Sequence, residues 1–147
     1  MEGKHMTLQF FMPMVPPTAT HQEQKVRIVR RGGKMVPQYY DPPDLADARA
    51  KLTAHLSQHR PANPLEGPVG LTVKWCFPAG CAHSDGEWRI TPPDTDNLQK
   101  LLKDCMTRLG FWQDDAQVCW DISMKVWAKL PGIYIGAVEL EGGESVT

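Results

Sequence analysis

The stretch Pro93-Asp94-Thr95-Asp96-Asn97-Leu98-Gln99-Lys100 is joined, through the nine residues 101–109, to Gly110-Phe111-Trp112-Gln113-Asp114-Asp115-Ala116-Gln117-Val118. Between the two quoted runs, apolar residues recur at the spacing of one helical face. They are Leu98, Leu101, Leu102, Cys105 and Leu109. A glycine such as Gly110 is typical of a helix end. The segment therefore predicts a helix from about Asp94 to Gly110 with acidic residues at both ends.

Outward from this helix, alternating apolar residues, Gly and Pro turns and one more helical pattern predict the remaining elements. In chain order these are a strand at 8–14, a hairpin at 25–40 turning at Gly32-Gly33, a helix at 45–56 stopped before Pro61, a strand at 71–77, and, after the helix at 94–110, strands at 118–126 and 133–140 separated by Pro131-Gly132. This order predicts an α+β fold with a mostly antiparallel sheet and two helices.

The length of 147 residues predicts a single domain spanning 1–147. Met1 to Met6 resemble an expression tag in their residue types, and residues 142–147 are expected to form a loose tail. No run of eighteen apolar residues is present, so we expect a cytoplasmic protein without a membrane partner.

Four scattered cysteines favour reduced thiols over a disulfide framework. Cys76, Cys81 and His83 can supply three zinc ligands, but no second pair at finger-like spacing accompanies them, and the zinc interpretation is therefore the weaker one.

The formal net charge of −1 does not indicate a broadly basic nucleic-acid binder, so any DNA contact must depend on local patches. One basic patch occupies the predicted hairpin and contains no acid. It consists of Lys25, Arg27, Arg30, Arg31 and Lys34. A solvated strand edge kept apart from other chains by its charges explains the same residues equally well.

The acids around the second helix suggest a metal site. Magnesium prefers oxygen ligands and commonly uses a few carboxylates, and Asp94 and Asp96 leave the extended chain together at a helix start. Each acid also has a structural explanation. Asp94 can cap the helix, Asp96 can pair with Lys100, and Asp114 and Asp115 can be turn residues. Composition alone favours these structural explanations.

The complete pattern, Asp-x-Asp-Asn-Leu-x-Lys, a helix, and then Gly-Phe-Trp-x-Asp-Asp-x-Gln-Val, resembles the RusA family of crossover-junction endodeoxyribonucleases. The resemblance is close from Pro93 to Val118. It is weaker at Pro16-Pro17 and at Pro131-Gly132-Ile133-Tyr134-Ile135.

The resemblance implies a homodimeric, RusA-like, bacterial or phage-encoded nuclease that resolves four-way (Holliday) junctions by paired symmetric nicks. It implies that Mg²⁺, with Mn²⁺ as a substitute, is bound by Asp94, Asp96 and Asp115, and that Lys100 is the catalytic lysine. Asn97 and Asp114 also match the motif. One departure is that Pro92 and Pro93 stand where relatives often carry a basic residue, and Arg89 is the nearest substitute.

Distance limits how the three aspartates can meet. A helix at 96–109 is about 20 Å long, and residues 110–114 then reach at most ~17 Å. Asp115 can rejoin Asp94 and Asp96 in its own chain only by a nearly straight return, so we expect a two-fold dimer to complete each site.

Lys125, Lys129, Trp88 and Arg89 are further candidates for phosphate contacts. Two alternatives to junction resolution stay open at this point. One is a non-catalytic nucleic-acid-binding dimer, and the other is a metal-dependent nuclease acting on flaps, forks or RNA.

Overall fold

Six strands and two helices form the regular structure of the residues described, 5–20 and 25–143, in a computed structural model. The elements are β1 (Thr7–Met12), β2 (Lys25–Arg31), β3 (Lys34–Tyr40), α1 (Pro43–Ser57), β4 (Val69–Pro78), α2 (Thr95–Arg108), β5 (Val118–Ala128) and β6 (Gly132–Glu139). Every predicted element is present, with ends that differ by about two residues at most. The prediction of two helices in an α+β fold is confirmed.

The predicted tag-like start and loose tail fall partly on residues 1–4 and 144–147, which lie outside the described residues. Met6 belongs to the fold, because its backbone N–H donates to Glu139 Oε1 at 2.6 Å and its side chain packs against the core.

The main sheet has four strands in the order β1-β6-β4-β5. β6 pairs antiparallel with both β1 and β4, and β2 and β3 form a separate antiparallel hairpin, so the mostly antiparallel prediction is confirmed. β4 and β5 pair parallel, from Gly70 with Trp120 to Pro78 with Ala128, and the sequence patterns did not predict this pairing.

The parallel pair fixes the direction of α2. Two parallel strands need a long crossover connection, and α2 with the loop before it supplies that connection between β4 and β5. α2 therefore runs opposite to both strands. Its first residue lies near the carboxyl ends of β4 and β5, and its last residue lies near the start of β5.

The core lies between one face of the sheet and the two helices. Alternate residues of β4, Leu71, Val73, Trp75 and Phe77, are buried against apolar residues of both helices. Arg49 of α1 connects the helices, since its guanidinium contacts Asp41 at 2.6 Å and Asp104 of α2 at 2.8 Å. The opposite face of the sheet carries only a small cluster of Cys76, Val126 and Ala128 with Phe11 against it.

Among the described residues, no helix has the length and apolar character needed to cross a membrane.

Candidate active site

Asp94 and Asp96 lie at the start of α2. Asp94 occupies the N-cap position, but its side chain makes no capping hydrogen bond. Asp96 Oδ1 accepts a hydrogen bond from Asn97 N–H at 3.0 Å. In the part of the chain that the structure describes, no ion pair joins Asp96 to Lys100. The capping and surface-pair explanations therefore do not account for these two exposed carboxylates.

The segment that delivers Asp94 to the helix is fixed by Lys125 of β5. The Lys125 ammonium donates to the carbonyl oxygens of Thr91 at 2.8 Å and Pro93 at 2.7 Å. Burial lowers the pKa of Lys125, repulsion from Arg89 lowers it further, and attraction to Asp94 opposes both effects. Lys125 thus holds the backbone immediately before Asp94 and lies within electrostatic reach of its carboxylate.

Arg89 holds the same segment from a second side. Its guanidinium carbon lies 4.2 Å from the ring centre of Phe77 and 4.5 Å from that of Trp127, and its Nη2 donates to Pro92 O at 2.6 Å. Cation–π contacts of this kind stabilise by about 0.5–2 kcal/mol. The sequence analysis assigned Arg89 to DNA, whereas the structure engages its guanidinium within the chain.

The rest of the loop packs against β5 through His83. The His83 ring stacks on Trp127 with centroids 4.0 Å apart, and His83 Nδ1 lies 2.6 Å from Glu87 Oε2. The hydrogen bond with His83 lowers the pKa of Glu87. These contacts give a role to the segment 79–90, which the sequence patterns left unexplained.

The second acidic motif forms a turn at the other end of α2. Gly110 adopts φ +82°, which ends the helix, and residues 115–117 form a short 3₁₀ turn. Asp114 caps this turn by accepting from Ala116 N–H at 2.9 Å, and Gln117 donates to Leu65 O and Gly67 O. Asp114 and Gln117 are therefore structural, while the exposed Asp115 receives no hydrogen bond from any described side chain.

The chain on its own separates the predicted ligands. α2 has 14 residues, so at 1.5 Å per residue its ends lie about 21 Å apart, with Asp94 and Asp96 at one end and Asp115 beyond the other. Among residues 5–20 and 25–143, no three His, Cys, Asp or Glu side chains lie close enough to hold a metal ion. This applies equally to the weaker zinc interpretation of Cys76, Cys81 and His83.

A polar groove adjoins Asp96 on the outer side of β5. It has a volume of about 340 Å³ and is lined by Thr95, Asp96, Gln99, Lys103, Asp121 and Ser123. Asp121 accepts a hydrogen bond from Gln99 and an ion pair from Lys103 at 2.8 Å, and Gln99 also accepts from the buried Trp75 indole at 3.0 Å. Sequence reasoning missed Asp121, although its place between the apolar Trp120 and Ile122 put it on the helix-facing side of the strand.

Comparison with known proteins identifies the family. The family model described as Endodeoxyribonuclease RusA matches residues 14–137. The chain belongs to the RusA family of endodeoxyribonucleases. It is also similar to the crossover junction endodeoxyribonuclease rusA of Lactococcus phage r1t, with 29% identity over 123 residues that cover 82% of this chain and 89% of the relative.

The basic hairpin of this RusA-family endonuclease has two different faces. The β2–β3 register places Lys25, Arg27, Arg31 and Lys34 on one face together with Tyr40. Arg27 is held there by a hydrogen bond to Gln38 at 2.8 Å and lies 5.0 Å over the Tyr40 ring. Arg30 is on the other face, beside the exposed apolar residues Val26, Ile28, Met35 and Tyr39. The predicted patch thus separates into a four-cation face and one cation among apolar side chains.

The other candidates for DNA contact in this endonuclease are divided by their surroundings. Trp88 and Lys129 are exposed, and their side chains have no described partner. Lys125 and Arg89 spend their charged groups on the backbone of the loop before Asp94. Trp88 and Lys129 therefore stay candidates for direct contact, and Lys125 and Arg89 have a positioning role.

Proposed function

We propose that this endonuclease resolves four-way DNA junctions by paired symmetric nicks, as a Mg²⁺-dependent homodimer. The observation that carries the proposal is the pair of carboxylates on Asp94 and Asp96. They are exposed at a helix start, unused for capping or pairing, and fixed from behind by Lys125. The printed name of the phage relative, a crossover junction endodeoxyribonuclease, supports the choice of a branched substrate.

The donor set suits a hard divalent cation. Asp94 and Asp96 offer carboxylate oxygens, which Mg²⁺ and Mn²⁺ prefer, and the positive end of α2 reduces the repulsion between them. When bound, the metal would activate water and stabilise charge on the phosphoryl oxygens of the scissile bond. Two carboxylates of one chain leave the predicted third ligand, Asp115, to be supplied by the partner subunit.

Lys100 lies one helical turn after Asp96 and is exposed, with no described ion pair. In the proposed mechanism its ammonium binds the phosphate at the cut and offsets charge that develops there during hydrolysis. Lys100→Ala should therefore lower the cleavage rate by about 10²-fold or more while junction affinity, measured without metal, changes little. Lys51→Ala, an exposed lysine of α1, is the control that should leave both quantities unchanged. A large loss of affinity with an unchanged rate would contradict the assignment.

The function is tested by incubating a synthetic four-way junction with the protein and Mg²⁺. Matched duplex, flap and fork substrates are run beside it, with Asp96→Asn as the site variant and Asp47→Asn, an exposed acid of α1, as the control. Preferential symmetric cutting of the junction by the wild type and Asp47→Asn, and its loss in Asp96→Asn, are the expected results. Equal cutting of flaps or forks would favour the broader nuclease alternative. Binding with no cutting of any substrate would favour the non-catalytic binder, which the family assignment disfavours.

Mixing two inactive variants tests whether the site is shared between subunits. In a dimer of Asp96→Asn with Asp115→Asn, one composite site carries both changes and the other carries neither. The mixture should regain single nicks, although each variant alone is inactive. If all three aspartates act within one chain, each chain of the mixture carries one lesion, and no activity returns.

A further inference from the structure

β5 is an edge strand whose outer side is only partly covered. Its carboxyl half pairs with the loop before α2, through Trp127 N–H to Glu87 O at 2.7 Å and Arg89 N–H to Lys125 O at 3.1 Å. Among the described residues, no backbone group pairs with the outer side of residues 118–124. Proteins usually cover, shorten or charge such an edge because it can pair with another chain.

The uncovered edge also carries exposed apolar side chains. Trp120 and Ile122 are 49% and 48% exposed and point to the sheet face away from the helices. The Trp120 ring lies across Gly70, where an added Cβ would come within 2.4 Å of it. A single exposed apolar residue is ordinary, but two of them beside seven residues of unpaired strand form an adhesive edge.

A second copy of the chain fits this edge by symmetry. A two-fold axis perpendicular to the sheet pairs β5 with its copy antiparallel, keeps both helix layers on the same side and places side chains of like orientation opposite each other. The register that fills residues 118–124 places Asp121 opposite its own counterpart and Trp120 opposite the partner's Ile122. Aromatic and β-branched residues are favourable cross-strand neighbours.

The same pairing places the two α2 helices side by side. α2 lies over β4 and β5, contacting Trp75 and Asp121. With strands about 4.8 Å apart, the two helix axes would be roughly 10 Å apart, a normal packing distance. The helices would run antiparallel, so Asp94 and Asp96 would lie beside the partner subunit's Asp115. The two Asp121 carboxylates near the axis would each keep their Lys103 ion pair, which offsets their repulsion.

We propose that the outer edge of residues 118–124 is the dimer surface, and that its occupant is a second copy of this chain joined by antiparallel pairing centred on Asp121. The inference rests on the proposed function in one respect, namely that the active site is composite. Its geometry is tested independently of cleavage.

Disulfide cross-linking measures the register. Asp121→Cys, in a background where the exposed Cys81 and Cys119 are serine, places a cysteine opposite its copy with Cα atoms about 5.5 Å apart, within disulfide range. Mild oxidation should convert most of the protein to a covalent dimer. The matched control retains Cys119 as its only exposed cysteine. Since Cys119 would lie about 13 Å from its counterpart, the control should stay uncross-linked. Failure of Asp121→Cys to cross-link in a protein that is dimeric would overturn the proposal.

Sedimentation guards against a folding defect in that variant. Ile122→Lys adds a charge at the edge and should shift the protein toward monomer, with an unchanged circular dichroism spectrum. Leu130→Lys, equally conservative in type and on an exposed turn residue, should stay dimeric. Dimerisation that is unaffected by Ile122→Lys, or a monomeric wild type, would overturn the edge proposal.

Cleavage of a junction separates the two proposals. Cross-linked Asp121→Cys dimers together with a wild type that never cuts a junction would overturn the proposed function and support the edge. Junction cutting by a dimer that fails both edge tests would support the function and overturn the edge.

Discussion

At the residue scale, the candidate site depends on side chains that fix one acidic backbone segment. Lys125 and Arg89 bind the carbonyl oxygens of residues 91–93 rather than solvent. Aromatic rings of β4 and β5 hold the Arg89 guanidinium in place. Asp94 is thus presented by a braced loop although it makes no capping bond itself.

Lys125→Gln should separate positioning from DNA binding. Loss of the ammonium frees the Pro93 carbonyl, and a small displacement of Asp94 should lower the rate of junction cleavage by about 10²-fold. Junction affinity measured without metal should change little. Lys129→Gln, four residues along the same strand end, should show the reverse pattern if Lys129 contacts phosphate. Equal losses of affinity in the two variants would assign Lys125 to phosphate binding instead.

Glu139 connects both ends of the core sheet in a pH-dependent way. Its carboxylate accepts from Glu66 N–H at 2.7 Å and Met6 N–H at 2.6 Å, and these hydrogen bonds lower its pKa below the ordinary 4.5. A lowered folded-state pKa contributes stability that is present above pH 4.5 and is lost as the pH falls through the folded value.

Glu139→Gln should therefore reduce the free energy of unfolding at pH 7 by about 1 kcal/mol, since solvent near the bonds limits their contribution. The difference from wild type should disappear as the pH falls below 4.5. Urea unfolding across this range measures it, with Glu66→Gln as the control, because only the backbone of Glu66 takes part. A difference that persists at low pH would show that the charge is not responsible.

At the scale of elements, the hairpin β2–β3 is the clearest candidate for DNA binding. A two-stranded hairpin is marginally stable alone, and this one presents four cations on one face and exposed apolar residues on the other. The alternation of side chains, rather than the cluster of charges in sequence, decides which cations can act together.

Arg27→Gln combined with Arg31→Gln should reduce the salt dependence of junction binding. Each lost phosphate contact lowers the slope of log K against log salt by about 0.9, so the pair should lower it by about 1.8. Fluorescence anisotropy between 50 and 200 mM salt, without metal, gives the slope. Arg30→Gln, on the opposite face, is the matched control and should leave the slope unchanged.

At the scale of the whole molecule, the distance between the acidic motifs makes metal binding depend on assembly. Wild-type dimer should bind Mg²⁺ or Mn²⁺ measurably by calorimetry. Ile122→Lys, once monomeric, should bind it several-fold more weakly because the partner subunit's Asp115 is absent. Asp115→Asn in the dimer should lose a similar amount. Tight binding by a monomeric variant would contradict a shared site.

The sequence by itself determined the order of elements, the helix between the two acidic motifs and the family, because apolar periodicity and motif spacing are local properties of the chain. It also showed that Asp94, Asp96 and Asp115 meet in one chain only if residues 110–114 return straight along the helix.

Only the tertiary structure decided that they do not. The parallel pairing of β4 with β5 commits α2 to a crossover, which separates Asp94 from Asp115 by about the length of the helix. It likewise assigned Arg89 and Lys125 to the loop, brought Gln99, Lys103 and Asp121 together beside Asp96, and left one edge of the sheet unpaired. These features depend on which strands become neighbours, and strand pairing arises from contacts distant in sequence that no local pattern records.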